Sequence, residues 1–372
     1  MNRNALLLAA ALAFTLPGTA FAADDVKPAE AAETPNYPYI AGKLNLELDN
    51  DWLFHSDDPS AEFNNLYLSS NTLAVKLGLT QVFSINLGWT LEQVKDQSGP
   101  RNCTMCDIGL YMDTLDFQAD VGNWSFTAGK HEPAFGFAWD IAPGVFGTNY
   151  AEDYELSEVW GLGAAYTFNT DFGKHTLAVN TFFADTTVLS ESLFTNRGRA
   201  HLGDGGAGNT GRLDNFAVTL FGEEIPSLPG FKYNIGYRHL SAGRGDYGDE
   251  NGVILGLAKE TELGNDLKLG LLGEVAYFDN YGGTDENATY ATLGASLARG
   301  PWHGELTGEI RHFDVAGTDH LVQVSAGYGF ESGYDLSVGY AFEHAEGIDN
   351  QYIGVRLTKC FNFATSGPKP EC

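Results

Sequence analysis

Apolar and polar residues alternate one by one along most of this chain, and this period of two limits the fold more than any other feature of the sequence. In residues 43–49 (KLNLELD) the leucines would share one face of a strand, and the lysine, asparagine and acidic residues would share the other. Similar runs recur at 83–92, 231–238 and 334–343. Because successive side chains of a β-strand point to opposite sides, the pattern predicts an all-β protein whose strands are apolar on one face and polar on the other.

The connections between the alternating runs differ in length in a regular order. Short turn signals fall at 80–81, 122–123, 170–173, 225–230, 264–267, 300–301 and 331–333. Longer, acidic and glycine-rich connections lie between them at 50–70, 96–107, 132–157, 187–213, 243–250, 279–287, 314–319 and 344–350. Short turns at one end and long loops at the other are typical of transmembrane antiparallel β-barrels, which contain an even number of strands, and about sixteen are counted here. A soluble β-sandwich also alternates, but it has no reason to keep this order of connections.

A closed barrel also explains how a membrane protein can have a mean hydropathy of −0.18. In hydrocarbon every backbone N–H and C=O group must be bonded within the protein, so a sheet has to close on itself. Its apolar face then points outward to lipid and its polar face inward to water. The sequence therefore predicts a transmembrane β-barrel over residues 42–363, with no fold of its own for the polar, proline-containing segment 23–41.

The first 22 residues have the features of a secretory signal peptide. Arg3 gives a short basic start, residues 5–16 are apolar, and Ala20-Phe21-Ala22 is a small-residue cleavage site. A membrane anchor is the alternative, but Pro17 and Gly18 interrupt a run that is already short. We therefore expect cleavage before Ala23 and export across the inner membrane.

Composition excludes several classes of protein. The chain has 49 acidic and 21 basic residues and a formal charge of −28, which is unlike a nucleic-acid-binding protein. Four cysteines in 372 residues are too few for a disulfide scaffold, and 13% aromatic residues argue against disorder.

With these features the chain resembles a bacterial sixteen-stranded porin of the general or substrate-selective type. The loop 131–159 follows the fifth strand, and in general porins the third external loop folds inward and narrows the barrel. The last strand, 351–363 (QYIGVRLTKCFNF), ends in aromatic residues, which resembles the C-terminal signal of the assembly machinery. One departure is the tail 364–372 (ATSGPKPEC), because porins normally end at the final Phe. The resemblance implies an outer-membrane location, contact with lipid and lipopolysaccharide, and a homotrimer.

Strand alternation and the resemblance together predict which charged residues line the lumen. The inward basic residues are expected to be Lys43, Lys76, Lys232, Arg238, Lys268, Arg311 and Arg356. The inserted loop is expected to form the constriction with Glu132, Asp140, Tyr150, Glu152, Asp153, Tyr154, Glu155 and Glu158, its carboxylates facing some of the basic wall residues. A ring of carboxylates attracts cations, so we predict a mild cation preference. The aromatic residues of the loop either stack on sugars or pack the loop against the wall.

The cysteines are expected to be structural rather than catalytic. Cys103 and Cys106 form a lone C-x-x-C, which suits a small loop disulfide better than zinc, and Cys360 could pair with Cys372 to hold the tail. No metal site and no cofactor are expected.

The leading functional hypothesis is passive diffusion of small hydrophilic solutes and ions, with no chemical step. The first alternative is a channel selective for sugars, organic acids or siderophores. An outer-membrane enzyme would need a positioned nucleophile and base, and none of the nine histidines lies in a G-x-S-x-G or H-E-x-x-H context. A soluble periplasmic β-protein is the remaining alternative.

Overall fold

The computed structural model describes residues 35–95 and 101–372. The predicted signal peptide and most of the predicted lead-in segment lie outside these residues. Tyr39–Ala41, which we expected to precede the barrel, already belong to its first strand.

Nearly all regular structure is β. The strands are β1 (Tyr39–Ser56), β2 (Phe63–Leu68), β3 (Asn71–Gly78), β4 (Phe83–Gln93), β5 (Cys103–Thr104), β6 (Ile108–Val121), β7 (Trp124–His131), β8 (Val159–Thr170), β9 (Gly173–Ala184), β10 (Leu193–Phe194), β11 (Asn215–Glu223), β12 (Phe231–Leu240), β13 (Glu250–Gly264), β14 (Leu267–Asp279), β15 (Ala288–Arg299), β16 (Trp302–Phe313), β17 (Gly317–Gly329), β18 (Tyr334–Ala345) and β19 (Ile348–Ala364). In residues 35–95 and 101–372, the connections contain one short α-helix, α1 (Ala138–Ile141), and four 3₁₀ turns (Pro59–Ala61, Ala151–Tyr154, Val188–Ser190 and Tyr281–Gly283). Within the described residues, no helix is long and apolar enough to cross a bilayer.

The strands form a closed antiparallel barrel. Sequential neighbours pair around the sheet, and β1 pairs with β19 from Ala41 opposite Ala364 to Ser56 opposite Asn350. Strands β2 and β3 both pair with β1 and act as successive parts of one barrel strand, whereas β5 and β10 are two-residue additions in loops. This leaves sixteen barrel strands, so the predicted antiparallel β-barrel of about sixteen strands is confirmed.

Polarity is distributed in the opposite way to a soluble protein. Outward side chains such as Leu293 and Leu306 are 69% and 53% exposed, whereas the inward residues Thr307 and Gln323 are fully buried. A barrel in hydrocarbon needs this inversion, because the outer face meets acyl chains and polar groups must find partners inside. Trp124 and Trp302 lie exposed at strand ends, as expected for an interfacial aromatic girdle.

The short turns fall where the sequence placed them, but three predicted long loops are shorter than expected, among them 314–319, which is only 314–316. Strand β1 continues to Ser56 and β2 starts at Phe63, so the connection is 57–62 rather than 50–70. In these extended parts of β1 and β2 the outward residues include Asn50 and Asn64, and Asn50 donates to Asn64 at 3.1 Å. Because polar residues occupy outward positions here, the alternation of apolar and polar residues that predicts a strand is lost. The connection predicted at 344–350 is a two-residue turn at Glu346 and Gly347, whose φ angles of 53° and 80° suit a tight hairpin.

Candidate functional site

The connection between β7 and β8, residues 132–158, is held by carboxylates of distant strands. Glu274 of β14 accepts from the backbone N–H groups of Phe137 (2.8 Å) and Ala138 (3.1 Å), and from the Tyr154 hydroxyl (2.7 Å). Glu309 of β16 accepts from the N–H groups of Tyr150 (3.3 Å) and Ala151 (3.2 Å). Carboxylates form stronger hydrogen bonds to N–H groups than neutral acceptors do, so these two residues are the main polar anchors of the loop.

Side-chain donors of the wall bind the carbonyl groups of the same loop. The Pro143 carbonyl accepts from Thr307 Oγ1 (2.5 Å) and Gln323 Nε2 (2.9 Å). Arg356 donates to the carbonyl of Val145 (3.0 Å) and Arg238 to that of Tyr154 (2.6 Å). All of these wall residues belong to strands from β12 to β19, and their side chains lie on the polar inner face of the barrel. The loop therefore lies against that face.

Wall glycines make room for the apolar side chains of the loop. A Cβ atom on Gly354 would lie 2.6 Å from the side chains of Val145 and Phe146, and one on Gly294 would lie 2.5 Å from Pro143. Phe137 packs in the same way against Gly256, where an added Cβ atom would lie 2.8 Å from its ring. The loop therefore packs directly on the wall backbone.

The aromatic residues of the loop are buried by this packing. Phe135, Phe146, Tyr150 and Tyr154 are all under 5% exposed. Tyr150 and Tyr154, predicted at the constriction, point into the contact between loop and wall. Their burial favours a packing role over a surface on which sugars could stack.

Register places all seven predicted basic wall residues on the polar face, and most have acidic or polar partners. Each guanidinium is in an ion pair: Arg238 with Glu250 at 2.7 Å, Arg311 with Asp153 and Asp319 at 3.0 and 2.8 Å, and Arg356 with Asp49 and Glu47 at 3.0 and 3.3 Å. Among the lysines, Lys232 lies 3.8 Å from Glu260, Lys76 donates to Gln118 at 3.4 Å, Lys43 interacts electrostatically with Asp140, and Lys268 lines a cavity with His303 and Glu305.

The predicted loop carboxylates divide into paired and unpaired groups. Asp153 pairs with Arg311, and Glu158 pairs with Lys130 (2.7 Å) and Arg197 (2.6 Å). Glu152 accepts from the Thr148 hydroxyl. Glu132 and Glu155 form no ion pair with any residue in the described part of the chain.

The unpaired carboxylates interact mainly with acidic groups, whereas the sequence led us to expect basic ones. Lys130 of β7 also acts on Glu132, but it is paired with Glu158 and Asp185. Enclosure by the barrel, followed by repulsion from Glu152 and Asp140, raises the pKa of Glu155 to about 7, and Glu92 of β4 adds to the effect. Enclosure and repulsion from Glu155 and then Asp113 of β6 also raise the pKa of Glu132. The Glu132 side chain keeps accessible surface, so lumen water limits this rise.

The wall formed by β4 and β6 satisfies its acids with neutral donors. Glu92 accepts from the Tyr111 hydroxyl at 2.7 Å, Asp116 from Asn86 at 2.8 Å, Asp113 from Thr90 at 2.6 Å and Asp120 from Gln118 at 3.0 Å. None of these four acids forms an ion pair with a described residue, although Arg197 acts electrostatically on Glu92 and Lys76 on Asp116. The space between this wall and the 132–158 loop is therefore acidic on both sides.

Several residues that build the site were missed as site residues. Glu274 and Glu309 are not among the predicted constriction or wall residues, and neither are the glycines under the loop. Lys130, fully buried between Glu158 and Asp185 (2.7 and 2.8 Å), was also missed. Glycine recurs at inward positions of β12–β19, and this recurrence is the sequence feature that could have predicted where the loop packs on the wall.

The structure contains both disulfides that the sequence allowed. One joins Cys103 to Cys106 in the loop 94–107, and the other joins Cys360 of β19 to Cys372 of the tail.

Comparison with known proteins finds similarity in structure but not in sequence. No protein-family model matches the chain, and no curated protein matches it in sequence. Among solved structures, OprB of Pseudomonas putida at high pH is 12% identical, with a TM-score of 0.59 over 87% of this chain and 94% of its own. The outer-membrane channel DcaP of Acinetobacter baumannii is 10% identical, with a TM-score of 0.55 over 89% of this chain and 100% of its own. This chain has the porin fold.

One structurally similar porin is named for its selectivity. The anion-selective porin from Comamonas acidovorans is 14% identical to this chain, with a TM-score of 0.51 over 87% of it and 98% of its own length. Identities this low show the fold alone, so selectivity has to be argued from the residues that face the lumen of this chain.

Proposed function

We propose that this protein is a bacterial outer-membrane porin through which small hydrophilic solutes and ions diffuse passively. The closed barrel, its apolar outer face and its polar inner face support a membrane channel. The 132–158 loop, held on the inner wall by Glu274 and Glu309, narrows the lumen and sets the size limit. The mechanism is exclusion by size with an electrostatic bias and no chemical step.

The channel prefers cations. One observation carries this proposal: Glu132 and Glu155 form no ion pair with a described residue and interact with Asp113 and Glu92, while the three wall guanidiniums are in ion pairs. Lys130 also acts on Glu132, but its ammonium group is paired with Glu158 and Asp185. Carboxylates on both sides of a narrow passage with low-dielectric walls attract cations and repel anions.

Reversal potentials in a planar bilayer under a KCl gradient test the proposal. We expect the wild-type channel to favour potassium over chloride, and the variant E132Q/E152Q/E155Q to lose most of that preference. A matched control, D171N/D285N/E331Q, removes the same charge from exposed turns and loops and is expected to keep it. Anion preference in the wild-type protein, or equal loss in both variants, would contradict the proposal.

Homotrimer formation and contact with lipid and lipopolysaccharide belong to the same proposal. Chemical crosslinking of the detergent-extracted protein is expected to give a trimer, and only a monomer band would contradict it. The burial of the loop aromatics does not support the alternative of a sugar-selective channel. Saturable block of the conductance by a sugar would favour that alternative.

A further inference from the structure

The chain continues past the last barrel strand, and residues 365–372 fold back onto the barrel. The N–H of Thr365 donates to the carbonyl of Ile40 at 2.9 Å, which extends the pairing of β19 with β1 by one step. Gly367 then lies against the ring of Tyr39, which is 8% exposed. The tail thus begins at the end of the barrel that carries the short turns.

From there the tail returns along the wall. Asn362 donates to the carbonyl of Pro370 at 2.8 Å, and Cys372 is bonded to Cys360. Register places Asn362 opposite Lys43 and Cys360 opposite Asn45. These positions have the same parity as Arg356, which binds both Asp49 and the 132–158 loop, so the tail lies on the lumen face of β19.

The tether carries the end of the tail into the barrel. Cys360 precedes Ala364, the end of β19, by four residues, which corresponds to roughly 13 Å along the strand at ~3.3 Å per residue. Lys43 is only 8% exposed there and interacts electrostatically with both Asp140 of the 132–158 loop and Glu371 of the tail. Loop and tail therefore approach the same wall lysine from opposite ends of the barrel.

We propose that residues 365–372 form a second selectivity element of the channel, in which the Cys360–Cys372 bond holds Glu371 inside the lumen beside Lys43. The inference rests on the proposed channel function and adds a specificity-determining residue to it. The tail narrows the end of the lumen that carries the short turns. Glu371 offsets the charge of Lys43, so the acidic character of the passage extends from the 132–158 loop to this end.

Three variants test the inference by single-channel conductance and reversal potential. C360S/C372S releases the tail, a deletion of residues 366–372 removes it, and E371Q keeps the tether but removes the charge. We expect higher conductance for the first two variants. For E371Q we expect unchanged conductance and a reversal potential shifted towards zero, because Lys43 is then no longer offset. The control C103S/C106S removes the other disulfide and is expected to behave as wild type, because that bond lies in the loop 94–107.

The outcomes separate this inference from the function on which it rests. A cation-preferring channel whose three tail variants match the wild type would overturn the role of the tail and leave the porin proposal intact. A wild-type channel without cation preference would instead contradict the proposed selectivity of the porin. Heat-modifiable gel migration checks that each variant forms a barrel. If the cysteine variant does not, E371Q decides, since it keeps every contact of the tether.

Discussion

The two sides of the lumen use the same kind of position for different purposes. Under the loop, between β12 and β19, inward residues bind each other or the loop backbone, as Glu309 and Arg238 do. On the facing wall, Glu92 and Asp116 bond to neutral donors and form no ion pair with a described residue. Polar groups enclosed in a barrel need partners on either side, but only an oppositely charged partner removes the field. The comparison shows that one wall of the barrel anchors the 132–158 loop, whereas the acids of the opposite wall attract cations.

The largest effect is expected from Glu274→Ala on the covered wall. The substitution removes the acceptor of two loop N–H groups and of the Tyr154 hydroxyl, and the lost charge-assisted bonds should weaken loop docking by about 4 kcal/mol. We expect noisier, larger single-channel currents and faster cleavage of the loop by a protease that cuts at aromatic residues. Glu92→Gln on the facing wall should change selectivity without exposing the loop. If Glu274→Ala and the wild type resist the protease equally, Glu274 does not anchor the loop and the proposed difference between the two walls is wrong.

A second, somewhat smaller effect is expected from Gly354→Val. A side chain there would overlap Val145 and Phe146, so the loop must shift, at a cost of about 1–3 kcal/mol. Conductance should rise, and the temperature at which the gel mobility changes should fall. Gly308→Ala is the matched control, because no atom lies within 4 Å of the added Cβ. If the two variants have the same conductance, the loop does not depend on the glycine spaces.

The unpaired carboxylates of the 132–158 loop should make selectivity depend on pH. A carboxyl group whose pKa is raised is charged above that pKa and neutral below it, so cation preference should fall as pH drops. With the pKa of Glu155 at about 7, the change should centre near neutral pH. Reversal potentials measured from alkaline to mildly acidic pH test this, and E132Q/E155Q should flatten the curve. A cation preference that rises on acidification would refute the assignment.

The smallest effect is expected from Lys76→Gln, which removes an inward lysine facing the acidic passage. Its hydrogen bond to Gln118, at 3.4 Å, is long, so stability should change little, while cation preference should increase slightly. Lys95→Gln, at an exposed position just after β4, serves as the control and should leave the reversal potential unchanged. A decrease in cation preference for Lys76→Gln would show that the wall lysine acts through structure rather than charge.

The sequence allowed the barrel, its strand number and its inward residues to be predicted, because alternation is local and each strand repeats it. The docking of the loop could not be read in the same way. Ala138 and its anchor Glu274 are 136 residues apart, and nothing in either segment identifies the other. The turn at Glu346 and Gly347 was predicted as a loop, since acidic and glycine residues suit both. The pairing of Asp153 with Arg311, and the lack of a cation beside Glu155, depend on how the loop folds.

The closing pair of β1 with β19 constrains the order in which the molecule can be built. Fifteen residue pairs join the first strand to the last, so the sheet keeps two open edges until synthesis has reached its final strand. The wall residues that hold the 132–158 loop also come later in the chain than the loop itself. The polypeptide must therefore carry an undocked, aromatic-rich segment until the strands that anchor it have joined the sheet.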